Sequence, residues 1–297
     1  MSFSSDVKTE LCRTPIDRNC CARAEAYGAL LWCNTFTAQE VRVITESSSF
    51  AGRLPELLDR AFGFAFDRLP ASGEQKYVFQ VLDADKAGRM IDAFGFDSRQ
   101  SPVLHINFGL LEEECCRAAF LRGAFLAGGS ITEPAKRYHL ELSTSHAQAS
   151  RELLALLADM NYQPKQTVRS GNQVIYFKSS SQIEDLLTLM GAPVKAMELM
   201  NTRAEKELRN GVNRRVNCES ANLDKAVDAA QEQLRAIRRL YELDRVEKLP
   251  PQLKETIILR EPYPELTLSQ LAEEFEPPVT KSCLNHRLRK LVELSRQ

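Results

Sequence analysis

The chain has 297 residues, 39 basic and 40 acidic side chains, and a net charge of −1. At 43% apolar, 27% charged and 7% aromatic, it has the composition of a folded globular protein, which excludes wholesale disorder. No apolar run approaches the ~18 residues of a membrane span, and the polar start Met1–Thr14 lacks the apolar core of a signal peptide, so a cytoplasmic protein of two or three domains is expected.

Residues 1–19 read as a polar N-terminal tail. Two similar stretches follow. Ala26–Cys33 is apolar and rich in small residues, and so is Leu121–Gly129; Gly28 and Gly123 lie 95 residues apart. After each comes an alternating segment with the period of a strand, Val41–Thr45 in the first copy and Tyr138–Leu142 in the second. A helical stretch comes next. Phe50–Phe62 aligns Leu54, Leu57, Leu58 and Ala61, and Ala149–Met160 aligns Leu153, Leu154, Leu157 and Met160. Each copy continues with a hairpin. Its arms are Phe64–Phe66 and Lys76–Leu82 in the first copy, and Gln166–Arg169 and Gln173–Lys178 in the second, where Ser170-Gly171-Asn172 makes a good turn. Closing helices end at Gly95 and Gly191, 96 residues apart and placed as C-caps.

Each copy therefore reads α-β-β-α-β-β-α, over 20–105 and 106–200, and two such units pack as a pseudo-two-fold pair. Glycine inside a helix costs about 1 kcal/mol relative to alanine. Close approach of two backbones offsets that cost, so the first helix of one copy is expected to pack on that of the other along Gly28 and Gly123.

The eight cysteines include two adjacent pairs, Cys20-Cys21 and Cys115-Cys116, but no C-x-x-C. The four histidines have no metal-ligand spacing. Reduced, buried thiols are the expectation, with no metal site and no cofactor.

The run Leu121–Ile131 (LRGAFLAGGSI) resembles the LAGLIDADG motif of homing endonucleases. That resemblance implies two interface helices, each with an acid at its base holding a divalent metal for phosphodiester cleavage. Laid on this chain, the metal-holding acids fall on Cys33 and Gly128, and the other Asp of the motif falls on Leu31 and Leu126. None of these is a good ligand for a hard cation. The fold is kept and the chemistry lost. Glu25 and Glu112-Glu113-Glu114 lie nearby in sequence and read as solvated helix starts.

Asn201–Asn222 is polar and holds Gly211. It reads as a solvated linker or as an arm that tracks DNA with Arg203, Arg209, Asn213, Arg214, Arg215 and Asn217.

A helical domain closes the chain over 223–297. Asp224–Glu242 has Val227, Ala230, Leu234, Ile237, Leu240 and Tyr241 on its apolar side and Arg235, Arg238 and Arg239 outside. Leu249–Arg260 follows, with Leu253, Ile257, Ile258 and Leu259 facing a trihelical core. Then Thr267 and Gln270 have capping-box spacing, and Leu268, Leu271, Ala272 and Phe275 form a helical stripe. Pro277 and Pro278 end that helix. Thr280 or Ser282 caps the next, whose stripe is Leu284, Leu288, Leu291 and Val292. This is a helix-turn-helix with a slightly long turn.

Its second helix carries Lys281, Ser282, Asn285, His286, Arg287, Arg289 and Lys290. Asn can read adenine, Arg can read guanine, and Lys or Ser can grip phosphate. Lys281, Ser282, Asn285 and Arg289 share one side, flanked by His286 and Lys290. Charge agrees: residues 1–200 carry a net −3, 201–297 a net +2, and 281–297 a net +4. The alternative to DNA binding is a solvated basic face.

The order of parts is similar to that of the WhiA family, from about Cys20 to Leu294. Its most specific runs here are Val212–Leu223 and Asn285–Lys290. The resemblance implies an α+β fold with two LAGLIDADG-like repeats and an all-α helix-turn-helix domain. It also implies a non-catalytic DNA-binding regulator, acting in sporulation, cell division or chromosome segregation, associated with the nucleoid. Double-stranded DNA is the implied partner, with another transcription regulator or RNA polymerase as a protein partner, and no membrane. A nuclease with relocated carboxylates, using Glu25 or the Glu112 cluster, and a protein-interaction scaffold remain the alternatives.

Overall fold

A computed structural model describes residues 2–71, 76–99 and 103–297, so part of the first hairpin connection lies outside the described residues. The chain divides into two compact units, Met1–Lys206 and Glu207–Gln297. Among the described residues, no helix is long and apolar enough to cross a membrane.

The first unit opens with a helix, not a tail. In α1 (Phe3–Leu11), Ser2 caps by accepting from the Ser5 amide at 3.2 Å, and Phe3, Val7 and Leu11 are buried. Their spacing of four residues is one helical stripe. Three apolar residues in a polar run gave too weak a pattern to stand out in the sequence.

The first repeat runs α2 (Asn19–Leu31), β1 (Thr35–Phe36), β2 (Val41–Thr45), α3 (Ser48–Phe62), β3 (Tyr77–Val81) and α4 (Ala84–Ala93). The expected arm Phe64–Phe66 is not a strand. The chain instead touches β3 through Arg68, which bridges to Gln80. The second repeat is complete: α5 (Glu114–Gly128), β4 (Gly129–Ile131), β5 (Leu140–Thr144), α6 (Ala147–Asp159), β6 (Lys165–Arg169), β7 (Asn172–Phe177) and α7 (Ser180–Met190). Both sheets are antiparallel, ordered β1-β2-β3 and β4-β5-β7-β6. Ser170 and Gly171, both with positive φ, make the two-residue turn of the β6–β7 hairpin. In α6 the buried stripe is Leu153, Leu156 and Leu157, while Leu154 and Met160 are half-buried at its edge.

The two repeats meet along α2 and α5. A Cβ on Gly28 would lie 2.0 Å from the Phe120 carbonyl oxygen, and one on Gly123 would lie 2.0 Å from the Glu25 carbonyl oxygen. These are reciprocal contacts, as a pseudo-two-fold axis requires. Only glycine lets the backbones approach this closely. Aromatic rings extend the contact: Tyr27 stacks on Phe94 at 4.2 Å, and Trp32 meets Phe120 edge-on at 5.9 Å. The Tyr27 hydroxyl donates to the His105 carbonyl at 2.6 Å and accepts from the Asn107 amide at 2.9 Å.

Helix α8 (Pro193–Glu242) has 50 residues. Its first amides, Val194 and Lys195, donate to the Glu10 carboxylate at 2.8 and 2.9 Å, an anion at a helix N-terminus. Ala196 and Leu199 bury this end in the first unit. Asn201–Asn222 is thus helical where a linker was expected. It is dense in Glu, Lys, Arg and Ala, which favour helix, and Gly211 is tolerated within it. Residues 207–229 are exposed all round.

In the second unit α8 is followed by α9 (Pro251–Arg260), α10 (Leu268–Glu273) and α11 (Lys281–Arg296). Ile237, Leu240, Leu253, Ile257, Leu271, Phe275, Leu284, Leu288 and Leu291 form its core. Six residues of the expected stripes do not enter it: Ile258, Val227 and Tyr241 are 67%, 47% and 48% exposed, and Ala230, Leu234 and Val292 lie outside the cluster. Ile258 is one residue, about 100° of helical rotation, past the buried Ile257.

Candidate nucleic-acid interface

The second unit is held in helix-turn-helix form by its caps. Thr267 accepts from the Gln270 amide at 3.4 Å while the Gln270 side chain accepts from the Thr267 amide at 3.1 Å, a full capping box. Past Pro277 and Pro278 the Val279 amide returns to the Ala272 carbonyl at 3.0 Å. Thr280, not Ser282, then caps α11 by accepting from Cys283 at 3.2 Å.

Helix α11 buries Leu284, Leu288, Leu291 and Ser295 on one arc. Opposite, Lys281, Ser282, His286, Arg289 and Lys290 are exposed, and Asn285 is half-exposed beside them. Because Thr280 leaves Ser282 uncommitted, its hydroxyl is available on that arc. Lys290 also pairs with Glu293 at 3.2 Å, an exposed contact worth little. Arg287 differs from the rest of the expected set. Its guanidinium lies over the Phe275 ring at 5.4 Å and reaches Glu255 at 3.2 Å, with a side chain only 13% exposed. Two residues past Asn285, it is rotated toward the core and belongs to the packing.

The candidates in the former linker separate on a helix. Arg203 pairs with the buried carboxylate of Glu184 at 3.3 Å in the first unit. Arg209, Asn213 and Asn217 share one face of α8 at i, i+4 and i+8, whereas Arg214 and Arg215 point elsewhere. All five are exposed.

The degenerate motif lies at the C-terminal ends of α2 and α5. Burial pushes the Cys33 thiol up to about 12, and it donates to the Thr35 carbonyl at 3.2 Å. A protonated thiol of this kind does not serve a hard cation. At Gly128 even a Cβ would fall 2.5 Å from the Ser143 carbonyl oxygen and 2.7 Å from the Trp32 ring. No acid can stand there without moving β5.

Glu25 is not a solvated helix start. It is 1% exposed, accepts from Arg53 at 2.5 and 2.9 Å, and accepts from Arg122 at 2.8 Å. Arg53 also donates to the Cys12 and Thr14 carbonyls, and Arg122 to that of Met190. One carboxylate between two guanidiniums thus ties α2, α3 and α5 together. It has no lone pair directed to solvent for metal or water. Glu112, Glu113 and Glu114 are exposed at the start of α5, as a solvated helix start should be.

Residue spacing along the chain gave no hint of a metal site, yet the fold brings four thiols together. Cys20 and Cys21 are the second and third residues of α2, and Cys115 and Cys116 hold the same places in α5. Their four sulfurs all lie within 4.8 Å of one another. The missed signal was the offset: each cysteine pair repeats at 95 residues, as Gly28 and Gly123 do.

Comparison with known proteins agrees with this division. The model of the WhiA LAGLIDADG-like domain matches residues 117–209, and that of the WhiA C-terminal HTH domain matches 212–295. A probable cell division protein WhiA from Ruminiclostridium cellulolyticum is 37% identical over 304 residues, covering 99% of this chain and 97% of the relative. Its counterpart from Alkaliphilus metalliredigens is 34% identical over 309 residues, covering 99% and 98%. The crystal structure of full-length WhiA from Thermotoga maritima has the same fold, with a TM-score of 0.62 at 22% identity, covering 100% of this chain and 98% of that one. With a LAGLIDADG-like domain, a helix-turn-helix domain and such identity along its whole length, the chain belongs to the WhiA family.

Proposed function

We propose that the protein is a regulator that binds double-stranded DNA and does not cut it. The observation that carries this reading is the exposed basic arc of α11, the second helix of a capped helix-turn-helix. Lys281 and Lys290 grip phosphate, while Ser282, Asn285, His286 and Arg289 face the groove edges. Arg209, Asn213 and Asn217 on α8 supply further phosphate contacts.

Absence of cleavage is supported by the two motif positions. Cys33 and Gly128 offer no carboxylate, and Glu25 is already engaged by two arginines. Two-metal hydrolysis needs acids at short range to the metals. The LAGLIDADG-like unit then acts as a rigid body for contacts, not as a nuclease.

Within this reading, the protein works in the cytoplasm on the nucleoid and controls transcription in cell division, sporulation and chromosome segregation, with another regulator or RNA polymerase as protein partner. The relatives' designation as cell division proteins supports the first of these roles. The test is incubation of the full chain with mixed duplexes and Mg²⁺, read on a gel. Shifted, intact DNA is expected, and the shift should weaken in Asn285→Ala and Arg289→Ala. Mg²⁺-dependent fragments would reinstate the nuclease, and unchanged binding in both variants would remove α11 as the contact face.

A further inference from the structure

We propose that Cys20, Cys21, Cys115 and Cys116 form a structural zinc site that clips α2 to α5. Four sulfurs at 2.3 Å from a tetrahedral zinc would stand about 3.8 Å apart. Here all four lie within 4.8 Å of one another, and Cys20 and Cys21 are 4.0 Å apart. Small rotations of side chains in a first helical turn close that difference. An iron–sulfur cluster puts several metal atoms between its cysteines and needs a wider cage, so one ion fits better.

Hydrophobic packing accounts for only part of the group: Cys116 sits in the core and Cys21 and Cys115 pack against it, but Cys20 does not. Cys20 is exposed and Cys21 and Cys115 are half-exposed, leaving only Cys116 buried. The symmetry explains how adjacent cysteines make a four-ligand site. Each pair alone supplies two thiols, and the pseudo-two-fold axis between α2 and α5 supplies the other two.

The surroundings also suit the charge. Zinc with four thiolates carries a net charge of −2. The positive ends of two helix dipoles converge on it, since the ligands occupy the second and third positions of both helices. Arg18 adds a guanidinium, 3.8 Å from the Cys115 sulfur. A cleft of about 260 Å³, lined by Cys20, Arg23, Glu112, Glu113 and Cys116 among others, gives the ion an entry path past two carboxylates. Among divalent first-row ions available to soft thiolates, zinc is the d¹⁰ ion that accepts tetrahedral geometry without redox chemistry.

The experiment uses the full chain purified under reductant without chelator. Elemental analysis should give one zinc per chain. Zinc content should fall about tenfold or more in Cys20→Ser/Cys115→Ser, which leaves an incomplete ligand set, and should be unchanged in Cys218→Ser. Cobalt titration of the unmutated, metal-stripped chain provides a readout that does not depend on a variant folding. It should give thiolate charge-transfer and tetrahedral d–d bands that saturate at one equivalent and vanish when zinc is added. Zinc retained by the double variant would overturn the site. So would an unmutated chain that binds neither zinc nor cobalt through thiolates, iron in zinc's place, or a disulfide between the two pairs under reductant.

Discussion

Helices α2 and α11 use their surfaces in opposite ways. Nine of the 13 residues of α2 are buried, against four of the 16 of α11. A helix whose sides are given to a partner helix has no face left for a large ligand; one that buries a single stripe keeps an arc free. The motif helices of the first unit form an interface, with glycines for close approach and a carboxylate locked between arginines. The last helix of the second unit keeps an exposed basic arc, the surface we propose for DNA. What α2 and α5 still offer lies at their N-terminal ends, where the four thiols gather.

The contrast can be broken most severely at the glycines. Gly28→Val places a branched side chain where even a Cβ would sit 2.0 Å from a carbonyl oxygen. The helix pair must separate, with a loss of at least about 4 kcal/mol, at the exceptional end of single substitutions. Thermal unfolding should show the first unit unfolded or melting far below the unmutated chain. A near-normal transition would deny the close approach.

Glu25→Gln comes next. It leaves two buried guanidiniums without their anion, and breaking a buried pair in this way costs about 3–5 kcal/mol. Urea unfolding measures it. A loss under about 1 kcal/mol would mean that water reaches Arg53 and Arg122.

Lys281→Ala with Lys290→Ala should leave stability intact yet reduce the salt dependence of DNA binding by about 0.9 in log–log slope for each phosphate no longer neutralised. Arg287→Ala should do the reverse. It removes a cation–π interaction and buried methylenes, costs about 1–2 kcal/mol of stability, and leaves the slope unchanged. If Arg287→Ala alters the slope as Lys281→Ala does, the division between packing and DNA-facing residues on α11 fails. The smallest effect is expected at the cap: Thr280→Ala should cost about 1 kcal/mol of stability.

How much of this was legible in the sequence differs by the kind of signal. Repetition was readable at a distance. The 95-residue offset of Gly28 and Gly123, with small residues around each, led to the helix pair and its close approach. Local grammar was readable too: the Thr267–Gln270 box, the two prolines and the Leu284–Leu288–Leu291 stripe located the helix-turn-helix. Composition misled where a helix is polar. The Asn201–Asn222 segment lacks an apolar face, so it read as a linker, although its residues favour helix and its neighbours on both sides are helical. The same weakness hid α1.

Pairings between distant residues were out of reach. Glu25 lies 28 residues from Arg53 and 97 from Arg122, and nothing near it in the chain marks it as their partner. Arg287 looked like its basic neighbours until the Phe275 ring was seen beneath it. The thiol cluster was half legible. Each Cys-Cys pair read alone is a poor ligand set, and only laying one repeat on the other brings four together.

The proposed role requires α11 to grip DNA and the rest of the fold to leave it whole. One titration tests it most directly: the full chain against duplex DNA over a salt series with Mg²⁺ present, with the DNA recovered and sized afterwards. Binding should weaken steeply and linearly in log salt, with a slope reduced by Lys281→Ala and DNA of unchanged length. Binding indifferent to salt and to α11, or DNA cut in the presence of Mg²⁺, would contradict it.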